Sequence, residues 1–199
     1  MPQSERDRIN SVRIIGGEYR SRKLDFPSLD GLRPTADRTR ETLFNWLQDS
    51  IQGEVCLDLF AGSGALGFEA LSRGASQVYF IEKNRQAADA LSRNIERLES
   101  RQGSVYCADA FAWLSRGAQN KPQFGLVFLD PPFKEKLLTN CILELEKAGV
   151  MKDGCLVYIE LEKLSDKVEL PVNWIELKNK QSGSVSYGLS RVTVSEDKK

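Results

Sequence analysis

The chain of 199 residues contains no histidine. This absence excludes Ser-His-Asp and Cys-His nucleophile systems and histidine-based metal sites. The four cysteines are far apart and show no metal-ligand spacing, so we expect them to be reduced core residues and predict no metal site. Any reaction must therefore use carboxylates, backbone groups or a bound cofactor.

Long apolar runs and a net charge are also missing. No stretch approaches membrane-spanning length, and the polar N-terminus carries acids, which predicts a cytoplasmic protein without membrane contact. The chain has 28 lysine and arginine residues and 28 aspartate and glutamate residues, so it carries no overall positive charge that would by itself indicate a nucleic-acid partner. With 41% hydrophobic and 28% charged residues, the composition is typical of one globular domain.

From residue 37 onward, strand-like and helix-like patterns alternate along the chain. Strands are predicted at 55–58, 78–82, 105–108, 126–130 and 156–160, with helices at 37–50, 85–99, 110–114 and 137–148. Two last strands, at 174–177 and 185–194, flank a turn at Ser182–Ser184, and a polar tail covers 195–199. This alternation of strands and helices predicts an α/β domain at 37–194, with a mostly parallel sheet and helices on both of its faces.

The segment at 1–36 is predicted to be a separate lead-in with a small β-hairpin between Val12 and Leu24, around Gly16-Gly17. Up to Arg40 the chain has nine basic residues against six acidic ones. Such an excess is as compatible with an ordinary solvated surface as with RNA binding. The basic residues of the hairpin are Arg13, Arg20, Arg22 and Lys23.

A glycine-rich turn follows the first predicted strand of the sheet and opens directly into a helical pattern. Gly62, Gly64 and Gly67 satisfy the G-x-G-x-x-G spacing, with Ala61 just before them. Glycines at such a turn let the backbone approach a ligand closely. Both dinucleotide-dependent enzymes and methyltransferases use this turn, so the spacing alone does not choose between them.

Four predicted strands finish on or next to an acid, namely Asp58, Glu82, Asp109 and Asp130. The carboxyl ends of parallel strands share one edge of a sheet, so these carboxylates are predicted to surround a single site. Glu82 lies 20 residues after Gly62, the offset at which an acid accepts hydrogen bonds from a ribose diol.

The other acids have separate interpretations. Asp109 with Ala110 suits an adenine edge, although an aspartate there also commonly caps the following helix. Asp58 suits an ammonium group, whereas it would repel the pyrophosphate of NAD facing the same loop.

The tetrapeptide Asp130-Pro131-Pro132-Phe133 distinguishes the reaction classes. Two prolines fix the backbone and remove two amide donors, so the loop presents acceptors beside the Asp130 carboxylate. Hydrogen bonds from an exocyclic amine to Asp130 and to the Pro131 carbonyl would turn the nitrogen lone pair toward an incoming methyl group. Phe133 offers a ring on which a flipped base could stack. The alternative is a rigid turn after a strand.

With these residues in hand, the chain resembles the RsmD family of class I S-adenosylmethionine-dependent methyltransferases over about residues 12–192. The resemblance is carried by these stretches: Arg13–Gly17, Arg22–Leu24, Leu32–Thr35, Asp37–Arg38, Arg40–Leu47, Asp58–Ala70, Ser72–Ala75, Glu82, Asp109–Ala110 and Asp130–Phe133. Ser21 stands where the family usually has glycine, and Lys136 stands where glycine is frequent.

The resemblance implies methyl transfer from S-adenosylmethionine to the guanine N2 amine of small-subunit (16S) ribosomal RNA, by a protein that we expect to be a monomer. It implies cofactor binding by Asp58, Ala61, Gly62, Gly64, Glu82, Asp109 and Ala110, catalysis by Asp130 to Phe133, and RNA contacts from Arg13, Arg20, Arg22 and Lys23. It also implies a Rossmann-like, seven-stranded sheet whose last strand is antiparallel. The alternatives are an adenine-N6 methyltransferase of the same fold and, more remotely, an NAD-dependent oxidoreductase.

Overall fold

The computed structural model of the protein describes residues 9–116, 122–132, 135–161 and 169–194, without the side chains of 135 and 136. In chain order, its strands are β1 (Ile9–Arg13), β2 (Lys23–Pro27), β3 (Val55–Asp58), β4 (Gln77–Glu82), β5 (Gly103–Cys107), β6 (Phe124–Leu129), β7 (Met151–Leu161), β8 (Trp174–Ser182) and β9 (Val185–Val192). The helices are α1 (Asp37–Trp46), α2 (Ala65–Ser72), α3 (Arg85–Arg97), α4 (Ala110–Leu114) and α5 (Glu135–Ala148).

The main sheet has seven strands in the order β5-β4-β3-β6-β7-β9-β8. Strands β3 to β7 pair in parallel, while β9 is antiparallel to both of its neighbours. The predicted sheet and its antiparallel last strand are therefore confirmed. The direction of strand order reverses between β3 and β6, and such a switch point is where open α/β sheets bind ligands.

Helices cover both faces of the sheet, as predicted. One apolar cluster packs β1, β2, α1, α2 and α3 against one face, and includes Phe44, Phe68 and Leu91. The second cluster packs α4 and α5 against the other face, and includes Trp113 and Leu145. The division of the chain at residue 36 stays a prediction, but side chains of the hairpin belong to the first of these clusters.

The predicted hairpin is present as a two-stranded sheet, β1 with β2, but its strands lie further from Gly16-Gly17 than expected. The intervening loop has hydrogen bonds within itself, such as that from the Ser21 N–H to the Ile14 carbonyl, and it also bonds to α2: the backbone N–H groups of Ile15 and Gly16 donate to Glu69. A Cβ on Gly17 would lie 1.7 Å from the Ser72 carbonyl oxygen, so only glycine fits there. The loop is shaped by a distant helix, which local sequence patterns do not reveal.

Several element ends differ from the predicted ones. Helix α1 ends at Trp46, with Leu47 as its C-cap, four residues before the predicted end at Ser50. Strand β7 begins at Met151 and β8 extends to Ser182, both longer than predicted. Most of β8 is exposed and polar, so it lacks the alternation that marks a half-buried strand.

The cysteine prediction was wrong at one position. Cys56, Cys141 and Cys155 are buried, but Cys107 is exposed at the end of β5. All four are free thiols. Among the residues that the structure describes, no helix is long and apolar enough to cross a membrane.

Candidate active site at the carboxyl edge of the sheet

The carboxyl ends of β3 and β6, on either side of the switch point, bring Asp58 and Asp130 to one edge. Strand β3 ends at Asp58, and Asp130 directly follows β6. Side chains alternate along a strand, and Cys56 and Phe128, two residues earlier, both belong to the cluster under α1 and α2. The two carboxyl groups therefore face the same side of the sheet, where the glycine turn also lies.

The glycine turn is held by the acids around it. Gly62 and Gly64 have φ angles of 51° and 77°, in the left-handed region that favours glycine. The Gly62 N–H donates to Glu82 Oε2 at 2.8 Å, and the Asn84 N–H donates to Glu82 Oε1 at 2.6 Å. The Ala61 N–H donates to the Ile81 carbonyl at 3.0 Å. Each Glu82 oxygen keeps a further lone pair, so the carboxylate can still accept from a ligand.

Asp58 is almost fully buried beneath the turn, with 3% of its surface exposed. Its Oδ2 accepts the Gly67 N–H at 3.0 Å. Burial raises the pKa of Asp58 to about 7, the Gly67 hydrogen bond opposes this rise, and the charge of Glu82 adds to it. A cationic ligand would restore the ionised form, because an opposite charge nearby favours the charged state of an acid.

Asp109 caps helix α4, as the alternative interpretation stated. Its Oδ1 accepts the N–H groups of Phe111 and Ala112, and its Oδ2 lies 3.4 Å from Lys83 Nζ. Partial burial acts to raise the pKa of Asp109, but the Ala112 and Lys83 hydrogen bonds outweigh it and lower that pKa. The cap uses one oxygen, so Oδ2 remains able to accept from a ligand while Ala110 is buried behind it.

Asp130 directly follows β6 at the carboxyl edge, and a buried Pro131 and an exposed Pro132 come after it. Its Oδ2 accepts a hydrogen bond from the Thr35 hydroxyl at 3.3 Å. Burial first, then the charges of Glu160 and Asp58, raise the pKa of Asp130 well above its ordinary value, against the Thr35 hydrogen bond. Phe133, the predicted stacking residue, lies outside the described residues.

Two residues of this edge were not assigned a role from the sequence. Glu160 lies near the end of β7, beside Asp130, because Leu129 pairs with Ile159 in the sheet. The position of Glu160 could have been recognised from the sequence, because the fifth predicted strand ends at this acid. Thr35 comes from the segment before α1, and only the fold brings it to Asp130.

Thr35 is positioned by a buried ionic network behind the site. The Arg40 side chain, fully buried on α1, donates to the carbonyls of Thr35 and Arg13 and to Asp37. Its Nη1 lies 3.5 Å from Oε2 of the fully buried Glu69 on α2. The network thus ties the segment that carries Thr35 to the helix after the glycine turn.

The predicted RNA-binding residues are all exposed. Arg13 and Arg20 line a shallow cleft together with Asp37 and Glu41. Arg22 donates to the Arg97 carbonyl at 2.9 Å, and the Lys23 carbonyl accepts from the Arg97 side chain. Ser21, between them, has a φ of 69°, the left-handed conformation in which glycine is less strained.

The strand order and the acids on its edge define a class I methyltransferase fold. The solved structure of yhhF from Escherichia coli superposes with a TM-score of 0.85, at 41% identity, over 92% of this chain and 99% of that one. HI0767 from Haemophilus influenzae superposes with a TM-score of 0.80, also at 41% identity, over 93% and 100% of the two chains.

Sequence comparison gives the family. The family described as Conserved hypothetical protein 95 matches residues 12–191. Ribosomal RNA small subunit methyltransferase D of Haemophilus influenzae is 46% identical over 89% of this chain and 92% of its own length. Its Escherichia coli K12 counterpart is 44% identical over 89% and 88%. The chain therefore belongs to this family, that of small-subunit ribosomal RNA methyltransferase D.

Proposed function

We propose that the protein transfers a methyl group from S-adenosylmethionine to the exocyclic N2 amine of a guanine in small-subunit ribosomal RNA. The observation that carries the proposal is Asp130, an acceptor at the switch point followed by two prolines and facing the same side as the glycine turn. Relatives named for small-subunit ribosomal RNA methylation support the substrate.

The acids along the edge fit the cofactor by their chemistry. An ammonium group suits Asp58, a ribose diol suits Glu82, and an adenine amine suits Oδ2 of Asp109, with Gly62 and Gly64 allowing close approach. When bound, S-adenosylmethionine supplies an electrophilic methyl group on a sulfonium. The fold accommodates the demethylated product, since SMU.776, similar to this chain in fold alone at 14% identity and a TM-score of 0.67, was solved with it bound.

Asp130 and the Pro131 carbonyl would orient the amine. Both are acceptors, so each can accept a hydrogen bond from one of the two amine hydrogens, which leaves the nitrogen lone pair directed away from them. After the methyl group is transferred, the nitrogen must release one proton, which the Asp130 carboxylate would accept. Catalysis then consists mostly of positioning, and holding two reactants in the right geometry can remove roughly 7–11 kcal/mol of a barrier. Phe133 would stack on the extruded base.

The test of the function is methyl transfer from labelled S-adenosylmethionine onto small-subunit RNA, and onto assembled subunits, that lack the mark. We expect label in N2-methylguanosine after digestion to nucleosides. Label in N6-methyladenosine would instead establish the adenine alternative, and calorimetric binding of NAD but not of S-adenosylmethionine would overturn the class of reaction. Light scattering and cell fractionation would test the expected monomer and its cytoplasmic location.

Neutral variants of the exposed basic residues are expected to weaken RNA binding and to reduce its salt dependence. Arg20→Gln, Arg22→Gln and Lys23→Gln together remove three candidate phosphate contacts, and each lost contact lowers the salt slope by about 0.7–0.9. The measurement is RNA affinity over a series of salt concentrations.

The matched control is Arg85→Gln, Arg93→Gln and Arg101→Gln, which removes as many charges elsewhere on the chain. An unchanged slope in the first variant, or an equal loss in both, would refute the assignment of RNA binding to the hairpin.

A further inference from the structure

Strand β8 forms one edge of the main sheet, beside β9, and its carboxyl end reaches the level of the active site. Lys180 on β8 pairs with Tyr187 on β9, and Tyr187 pairs in turn with Glu160 on β7. The register of β6 with β7 places Asp130 level with Glu160. Neighbouring strands are about 4.8 Å apart, so the backbone of Lys180 lies roughly 14 Å from that of Asp130, three strands away.

Three cationic residues of β8 and β9 share the face of the sheet to which Asp130 points. We call them the basic row, and they are Lys178, Lys180 and Arg191. The β9 residues directly opposite the two lysines, Leu189 and Tyr187, belong to the apolar cluster under α1, and opposite residues of an antiparallel pair share a face. The arginine comes two residues after Leu189, so it lies on the same face.

The basic row presents its positive charge to solvent. All three side chains are exposed, and none forms an ion pair within the part of the chain that the structure describes. The exposed acid of β8, Glu176, is opposite Ser190 on the other face, where it accepts from Asn179. Glu160 shares the face of the row but is 7% exposed and accepts the Tyr158 hydroxyl. The row therefore suits a polyanion.

Helix α1 separates the basic row from the basic residues of the N-terminal hairpin. Its Glu41 lines the cleft of the hairpin arginines, whereas its Trp46 packs on Tyr187 with 5.7 Å between ring centroids. Trp46 lies about 140° further around the helix than Glu41, because a turn has 3.6 residues. The segment just before α1 reaches Asp130 through the Thr35 hydroxyl. The two basic surfaces thus lie on different sides of a helix that begins beside Asp130.

We propose that the basic row binds phosphates of the RNA strand on one side of the target guanine, while the hairpin binds the strand on the other side. This inference deepens the proposed function and rests on it for the identity of the RNA. Extruding a base breaks its stacking, and backbone contacts on both sides of the base hold the strand in that conformation. Phosphate contacts fix the position of the strand without reading its sequence. The row is a binding surface and takes no part in the chemical step.

Replacing the two lysines together, as Lys178→Gln with Lys180→Gln, should weaken binding of small-subunit RNA roughly tenfold at 0.15 M salt. The salt slope should fall by about 1.4–1.8, since each lost phosphate contact accounts for about 0.7–0.9. Both lysines lie well away from Asp130, so the KM for RNA should rise while kcat at saturating RNA and the affinity for S-adenosylmethionine keep their wild-type values. The measurements are RNA affinity over a series of salt concentrations, steady-state transfer and calorimetry.

The matched control is Arg93→Gln with Arg101→Gln, which removes two exposed charges near β5, at the opposite edge of the sheet. Lysines on an edge strand can also serve to prevent pairing with another chain. Lys178→Glu with Lys180→Glu separates the two roles because it keeps the edge charged. Light scattering of this variant should match the wild type, whereas its RNA binding should fall below that of the glutamine variant.

An RNA affinity and a salt slope equal to those of the wild type in both lysine variants would overturn the proposal, as would an equal loss in the control. Weaker binding to assembled subunits with unchanged binding to RNA alone would overturn it too, and would assign the row to a protein partner. If the wild type transfers no methyl group to guanine, the proposed function fails, while the salt dependence of RNA binding still decides whether the row holds phosphates.

Discussion

Replacing Asp130 with alanine is expected to lower methyl transfer about 100- to 10,000-fold while the protein stays folded and binds its cofactor. The range is that of a positioned side chain that takes part in the proton chemistry of a reaction. Alanine leaves the amine with only the Pro131 carbonyl to orient it. The measurements are single-turnover transfer and calorimetric binding of S-adenosylmethionine.

The stability of this variant should move in the opposite direction from its activity. The pKa of Asp130 is raised in the folded protein. As the pH rises from about 4, the unfolded chain loses this proton first, which lowers the free energy of unfolding until the pH passes the folded pKa. The Asp130→Ala variant has no group to titrate at this position, so it does not lose stability in this way. At pH 8 it should therefore unfold at the same or a higher urea concentration than the wild type.

Asp130→Asn is the matched control because asparagine keeps an acceptor oxygen but cannot ionise. It should retain more transfer than Asp130→Ala and lose the acid limb of the pH profile. Near-normal turnover of Asp130→Ala would remove Asp130 from the mechanism.

The sequence predicted the sheet and its acids because both depend on local patterns. Asp58 and Glu82 end strands whose apolar runs are visible in the chain, and parallel topology places such ends on one edge without further information. The spacing of Glu82 from Gly62 corresponds to a direct hydrogen bond between them at 2.8 Å.

The parts that escaped prediction depend on contacts between distant segments. The Thr35 hydroxyl donates to Asp130 and the Thr35 carbonyl accepts from Arg40, but no local pattern around Thr35 indicates either partner. The position of β1 and β2 depends on Glu69, more than 50 residues away from Ile15 in the chain. Glu160 is different, since its place at a strand end was predictable and only its pairing with Asp130 required the fold.

The largest loss of stability is expected on Glu69→Gln. Glu69 is fully buried, and its carboxylate accepts the N–H groups of Ile15 and Gly16, pairs with Arg73 Nε at 2.7 Å and faces Arg40. A neutral amide keeps only one acceptor oxygen for these donors, and its own NH₂ group would face one of them. Removing one partner of a buried ion pair costs about 3–5 kcal/mol, because the other charge stays buried without compensation. Urea unfolding measures the loss.

Two controls separate burial from charge. Asp89→Asn breaks the Arg85–Asp89 pair, whose side chains are 79% and 50% exposed, and should change the free energy of unfolding by about 1 kcal/mol or less. The double variant Arg40→Met/Glu69→Gln removes both buried charges, so it should lose less stability than the sum of its single variants.

The same network connects stability to chemistry, because Arg40 holds the segment that brings the Thr35 hydroxyl to Asp130. Glu69→Gln should therefore also shift the acid limb of transfer toward higher pH, because it loosens the Thr35 hydroxyl whose hydrogen bond favours ionised Asp130, whereas Asp89→Asn should leave the limb in place. A loss of stability in Glu69→Gln no larger than that in Asp89→Asn would show that the buried charges are compensated by other groups. An unshifted limb in a destabilised Glu69→Gln would show that Thr35 keeps its position without the network.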